Sequence, residues 1–133
     1  MKFKNKLIPS KFQKRYKRFF TDVESKGKTL ISHCANSGSM LGLLDKDNKA
    51  WISPADNPDR KLKYTLEIIN DRKSNVGVNT HLANRIVEEA IEQRIIKEIK
   101  NYSEYQREVK FGLYSRFDFQ LKNKSKKAFL EVK

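Results

Sequence analysis

The sequence predicts an α+β chain in which a small N-terminal β-barrel precedes a shorter region built from one helix and a hairpin. Three observations carry this: a series of short β-favouring segments between Tyr16 and Val78, an apolar helical period that begins after Asn79, and strict two-residue alternation after Arg107. The 133 residues are 38% hydrophobic and include eight Phe and five Tyr, which supplies enough apolar surface for a folded core. That length suits one ordinary domain or two small ones.

The first segment, Phe12 to Val23, contains KRYKRFFTDV, sets aromatics among bases and reads as a strand. ESKGK follows as a turn around Gly27, and TLISHC alternates as the next strand. In ANSGSMLGLL, Asn36, Ser37, Gly38 and Gly42 favour a loop or short helical turn anchored by Met40, Leu41, Leu43 and Leu44. AWIS is a short apolar run that places Trp51 in the core. SPADNPDRK breaks the pattern, YTLEIIN is strongly β-like, and VGV makes one more short strand. This count fits a barrel of the five-strand oligonucleotide-binding (OB) type.

The organisation changes near Asn79, which sets expected domains at 1–78 and 79–133. VNTHLANRIVEEAIEQRIIKEIKNY reads as one long helix started by Asn79 and Thr80, with His81 in its first turn. Its apolar face is Ala83, Ile86, Val87, Ala90 and Ile91; at about 100° per residue, Glu88 points nearly opposite that face and Glu89 lies at its margin. Glu89 is therefore the acid placed to reach a site under the helix.

Beyond the helix, REVKFG reads as a strand, and RFDFQL and AFLEVK form a hairpin around the polar connection KNKSKK. A closing pair Leu121–Ala128 sets Gln120 against Phe129, Phe119 against Leu130 and Asp118 against Glu131. Like charges directly opposite are destabilising. A divalent cation such as Mg²⁺ shared by the two carboxylates offsets that repulsion, with Lys133 on the same face to orient water or neutralise a phosphate. The other reading is a solvated hairpin face of mixed charge, and a slip of two residues would leave the acids diagonal. Spacing alone leaves both readings open.

Net charge is +13, from 29 Lys and Arg against 16 Asp and Glu, and attracts a polyanion; nucleic acid is the leading partner. A compositional drift toward Lys and Asn is the other source of such a charge. Before the first acid, Asp22, the chain carries Lys14, Arg15, Lys17 and Arg18 around Tyr16, Phe19 and Phe20, a mixture that suits phosphates and unpaired bases. Phe19 or Phe20 is expected inside the barrel, with Arg15, Lys17 and Arg18 outward. His33 and Cys34 are adjacent in a strand, point to opposite faces and cannot chelate one ion together. The single cysteine permits no intrachain disulfide and suits a reducing cytoplasm. No apolar run reaches the ~18 residues of a membrane span, MKFKNKLIPSKF lacks a secretory pattern, and no sugar site is evident.

Several separated blocks together resemble the sugar fermentation stimulation protein family: RYKRFFTDV at 15–23, HCANSGSMLG at 33–42, VGVNTHLANRIVEEAI at 76–91, then SRFDFQL and FLEVK. The resemblance implies an OB-fold domain joined to a restriction-endonuclease-like domain of the PD-(D/E)xK superfamily, with a DNA-binding and regulatory role. It implies Asp118 and Glu131 as metal ligands, Lys133 as the basic residue and Glu89 as the helix acid. The resembled family continues well past its E-V-K segment while this sequence ends at Lys133. A C-terminally truncated, incomplete nuclease-like domain is expected at 79–133.

Overall fold

The computed structural model describes residues 1–133 and divides into two compact units, Lys2–His81 and Leu82–Lys133, the latter including Met1. The strands of the first unit are β1 (Ile8–Tyr16), β2 (Phe20–Ser25), β3 (Lys28–His33), β4 (Lys49–Pro54), β5 (Tyr64–Asn70) and β6 (Asn75–Gly77). They run in the order β3-β2-β1-β4-β5-β6, and a parallel β3–β5 pairing at Ser32–Tyr64 and His33–Thr65 closes the first five into an OB-like barrel. Closure leaves those five strands without a free edge, while β6 pairs only with β5.

Alternation, with a register break between Trp51 and Ile52 in the β4–β5 ladder, explains the filling. Phe12 pairs with Val23 across β1–β2, and Ala50 and Ile52 pair with Ile69 and Leu66 across β4–β5; all six are sealed in the core with Cys34, Met40 and Val78. Trp51 sits between the buried Ala50 and Ile52, so the pleat turns its ring to the outer surface, where it is half-buried. The expectation of a core Trp51 is corrected by that alternation.

The single strand expected over 12–23 is a hairpin. β1 and β2 meet at a Tyr16–Phe20 pair, and the tip holds Lys17 and Arg18 at φ 47° and 62°. Neither Phe19 nor Phe20 is inside: Phe19 is 42% exposed beyond the tip, and Phe20 stacks on Tyr16 at 5.6 Å. Phe12 fills the core position instead. The turn at ESKGK lies where Gly27 puts it, with Lys26 and Gly27 at positive φ between the Ser25–Lys28 pair. ANSGSMLGLL is a loop in which Asn36 Oδ1 accepts from the Gly38 N–H at 2.8 Å; Met40 is buried and Leu41 faces solvent.

In the second unit, α1 (Ala83–Glu92) follows a 3₁₀ turn and precedes an antiparallel sheet of β7 (Glu104–Phe111), β8 (Ser115–Lys122) and β9 (Lys127–Leu130), with β8 central. His81 lies in that turn, not in the helix. The long helix expected to continue toward Tyr102 stops after ten residues. Arg94, at φ 55°, donates its N–H to Ile91 O (3.0 Å), and Ile95 donates to Ala90 O (3.1 Å). These two bonds are the Schellman closure, built on arginine where glycine is usual.

Phe119 and Leu121 of β8 are fully buried, and the pairs Phe119–Leu130, Gln120–Phe129 and Leu121–Ala128 match the register set by the Leu121–Ala128 closing pair. Phe111, Phe117 and Phe129 form an aromatic cluster with centroids 4.9–5.3 Å apart. The helix contributes no buried residue, and Ile86 is 50% exposed, so the apolar stripe seen in the sequence does not make a sealed core here.

Candidate functional site

The basic segment of β1 and its tip divides into two roles. Arg15 Nε donates to Arg18 O at 2.6 Å, and its two terminal nitrogens donate to Gly38 O at 2.7 Å and Asn36 O at 2.5 Å. One planar fork thus ties the β1–β2 tip to the Asn-Ser-Gly loop. The sequence sets Arg15 outward for nucleic acid; in the fold three of its donors are taken by backbone carbonyls, two of them at exposed positions, so it ties the tip together. Lys14 pairs with Asp22 at 3.4 Å and lies 5.4 Å from the centre of the Tyr16 ring, whose hydroxyl donates to Asp22 at 3.0 Å. Lys17 and Arg18 have exposed side chains and no acid pairs with either.

Cys34 is buried, and its thiol contacts Met40 Sδ at 3.5 Å; burial pushes the thiol pKa up, which suits packing and not nucleophilic chemistry. His33 faces the other way, into a surface cleft with His81, the ring centres being 6.5 Å apart.

In the second unit, the β8–β9 ladder ends at Phe119–Leu130, one pair short of Asp118–Glu131. Asp118 instead accepts the Val132 N–H at 2.8 Å through Oδ2 and the Asn84 amide at 2.8 Å through Oδ1. The carboxylate therefore anchors both the segment carrying Glu131 and Lys133 and the start of α1. Glu131 and Lys133 are exposed, with Lys133 Nζ 3.9 Å from Glu131.

Glu89 is not brought to Asp118. It pairs with the Met1 ammonium at 2.7 Å, and this partner holds its carboxyl below the usual range. The helical row that meets the sheet is Asn84, Glu88 and Glu92. Glu88 accepts from Arg107 at 2.9 Å and from Tyr105 at 3.2 Å, while Glu92 accepts from Tyr105 at 2.6 Å. The expectation that Glu88 points away is thus corrected, because side chains four apart share a helix face and here the polar row is the one that docks. Asn84 escapes sequence reasoning for the same reason: the apolar stripe draws attention away from it, and the signal available is the i, i+4, i+8 spacing of three polar residues.

Two family models match the chain, the SfsA N-terminal OB domain over residues 14–78 and the sugar fermentation stimulation protein RE domain over residues 81–133. The chain belongs to the sugar fermentation stimulation protein family. Its sequence is 47% identical to a family homologue from Pelagibacter ubique (strain HTCC1062) and 43% identical to one from Maricaulis maris (strain MCS10), in each case over 100% of this chain and 57% of the relative. The chain thus spans a little over half the length of those relatives. The structure of Pyrococcus furiosus SfsA in complex with Ca²⁺ aligns with a TM-score of 0.81 at 23% identity, covering 98% of this chain and 55% of that one, and establishes the shared fold. In family terms, the Arg15 latch and Lys17–Arg18 tip fall within the matched OB domain, and Asn84, Asp118, Glu131 and Lys133 within the matched RE domain. No helix is long and apolar enough to cross a membrane.

Proposed function

We propose that this chain binds DNA through its N-terminal barrel, largely without sequence preference. The observation that carries the reading is the β1–β2 tip, where Lys17 and Arg18 project exposed and unpaired from a chain of net charge +13. Fixed cations of this kind displace condensed counterions from phosphates, which is a sequence-independent source of affinity. Cytoplasmic DNA is the partner that fits the reducing setting inferred from the single cysteine, and a regulatory role is compatible with binding of this kind.

The test is fluorescence anisotropy of a labelled duplex across a salt series. Affinity is expected to fall steeply with salt, and the double substitution Lys17→Gln with Arg18→Gln to flatten the log–log slope by about 1.8, the value for two lost phosphate contacts. Absence of binding at low salt, or a slope untouched by the pair, refutes the reading.

A second reading, Mg²⁺-dependent DNA cleavage, is favoured by the way Asp118 secures the segment bearing Glu131 and Lys133. Two carboxylates are suitable hard ligands, and although no group of three His, Cys, Asp or Glu gathers anywhere in the chain, Mg²⁺ commonly keeps several waters and takes only one or two protein carboxylates. Asp118 and Glu131 would hold the ion, and the ion would supply Lewis-acid stabilisation of phosphate charge. Lys133 neutralises charge beside Glu131, and Asn84 fixes the orientation of Asp118. The P. furiosus protein was solved in complex with Ca²⁺, a divalent ion that also takes oxygen ligands; that binding is a property of the P. furiosus protein. Calorimetric titration with Mg²⁺ tests the ion site without requiring activity: Asp118→Asn should remove the binding heat and any DNA cutting. Ion binding unaffected by that substitution excludes the assignment.

A further inference from the structure

The His33 face of the barrel holds a built cleft that DNA binding through cations alone does not use. About 260 Å³ of space is lined by Phe19, His33, Asn36, Ser37, Thr80 and His81, all within the first unit. Three aromatic rings follow one another along it: Phe19 to His33 at 6.4 Å with a 32° tilt, and His33 to His81 at 6.5 Å with a 43° tilt. Phe19 is 42% exposed, although nothing in the turn chemistry requires an aromatic there.

The walls are fixed by polar ties. Arg15 clamps the β1–β2 tip to the 36–38 loop. The Asn36 amide donates to Val78 O at 3.1 Å, the Thr80 hydroxyl donates to Ala35 O at 2.6 Å, and the Cys34 N–H donates to Phe19 O at 2.9 Å. These ties hold the backbone that carries the rings, so little backbone freedom is left to lose when a flat ligand settles on them. Burial, then the charges of Arg60 and His81, lower the His33 pKa, so its ring is neutral near pH 7 and presents an uncharged face. A metal is a poor occupant, since the two histidines are joined by no third ligand.

We propose that this cleft is a stacking subsite for one unpaired base of a DNA strand, with Phe19 as its platform and Lys17 and Arg18 holding the adjoining phosphates. The choice of ligand follows from charge and shape together: a flat aromatic group must arrive attached to negative charge, because the rings stand directly beside the cationic tip. This rests on the DNA-binding reading above and adds a strand preference to it, since paired bases in a duplex offer no free face.

The experiment compares a single-stranded dT oligonucleotide of about 12 nucleotides, within the span of one OB fold, with a duplex of the same length. The full chain is expected to bind the single strand more tightly. Phe19→Ala and Phe19→Leu should each weaken single-strand affinity by ~5- to 100-fold, while leaving duplex affinity and the salt slope unchanged. Phe19→Trp should retain binding, and a 2-aminopurine base in the strand should be quenched by the native chain and not by Phe19→Leu. Circular dichroism melts monitor folding of each variant, and Phe19→Leu guards against a merely structural loss. Equal affinity of all Phe19 and His33→Ala variants for the single strand, with Lys17 and Arg18 substitutions still weakening it, overturns the cleft and leaves DNA binding standing. No binding of either DNA at low salt overturns both.

Discussion

Replacement of Arg15 separates structure from recognition in the basic segment. Its guanidinium makes three hydrogen bonds to backbone carbonyls, at 2.6, 2.7 and 2.5 Å, the last partly buried and the others exposed. Hydrogen bonds involving a charged group are worth about 1.5–3 kcal/mol when well protected and less in solvent, so the fork as a whole contributes roughly 2–3 kcal/mol. Arg15→Ala should therefore cost about that much in urea unfolding of the barrel, a large share of the ~5–15 kcal/mol available to a typical domain. Arg15→Lys keeps the charge but offers a point donor in place of the planar fork, and should recover only about 1 kcal/mol. The decisive comparison is with DNA binding. As a latch, Arg15 can be replaced by lysine with no change in the salt slope for duplex DNA. If Arg15→Ala leaves the unfolding midpoint unmoved and instead lowers that slope by about 0.9, the guanidinium holds a phosphate and the latch is wrong.

Other consequences can be checked independently. Phe12 is 1% exposed at the centre of the barrel, and Phe12→Ala should destabilise it by about 3–5 kcal/mol in the same urea assay. Because Asp118 accepts the Val132 N–H, Asp118→Ala should release the protection of that amide in hydrogen exchange, while Asn84→Ala should leave it largely intact; equal exchange in all three proteins would break the connection. Tyr105 is pushed up to about 12, first by its hydrogen bond to Glu92 and then by burial and the charge of Glu88. A raised phenol favours the protonated form in the folded state, so its contribution is complete below the ordinary pKa of 10.0 and is lost as pH rises toward 12. Ultraviolet titration should show a tyrosine ionising near pH 12 that Tyr105→Phe removes, while Tyr16, raised by burial and its hydrogen bond to Asp22, still ionises above its ordinary value.

Much of the barrel is readable in the sequence because its strands are short β-favouring runs, and TLISHC alternates straight into the buried Cys34, but YTLEIIN buries both Leu66 and Ile69 only through a register break against β4 that no two-residue period encodes. Breaks in the chain are legible only where residue type marks them. Gly27 announces its turn. Lys17, Arg18 and Arg94 take left-handed backbone with side chains that give no such sign, so the pattern runs one strand across a hairpin and one helix past its end. At the carboxylate site, the register follows from alternation and holds through Phe119–Leu130, but where the ladder stops depends on Asp118 capturing a backbone N–H, which no side-chain period encodes. Glu88 is misplaced and Asn84 missed by taking the apolar stripe as the docking face, whereas Tyr105 and Arg107 on β7 supply polar partners for the other row.

The tip itself carries a tension between stability and binding. Lys17 and Arg18 both stand at positive φ, a conformation that costs a residue with a Cβ about 1 kcal/mol or more, yet the pair persists between the stacked Tyr16 and Phe20 and the Arg15 latch. A sequence chosen for the turn alone would place Asn and Gly there, as many hairpins do. Lys17→Asn with Arg18→Gly should therefore raise the stability of the barrel by roughly 1–2 kcal/mol and, in the same protein, lower the salt slope of DNA binding by about 1.8. The two effects have opposite signs, which no general loosening of the fold can imitate. If the double variant is both more stable and equally avid for DNA, the strained lysine and arginine have no part in binding and the cationic tip loses its claim as the interface.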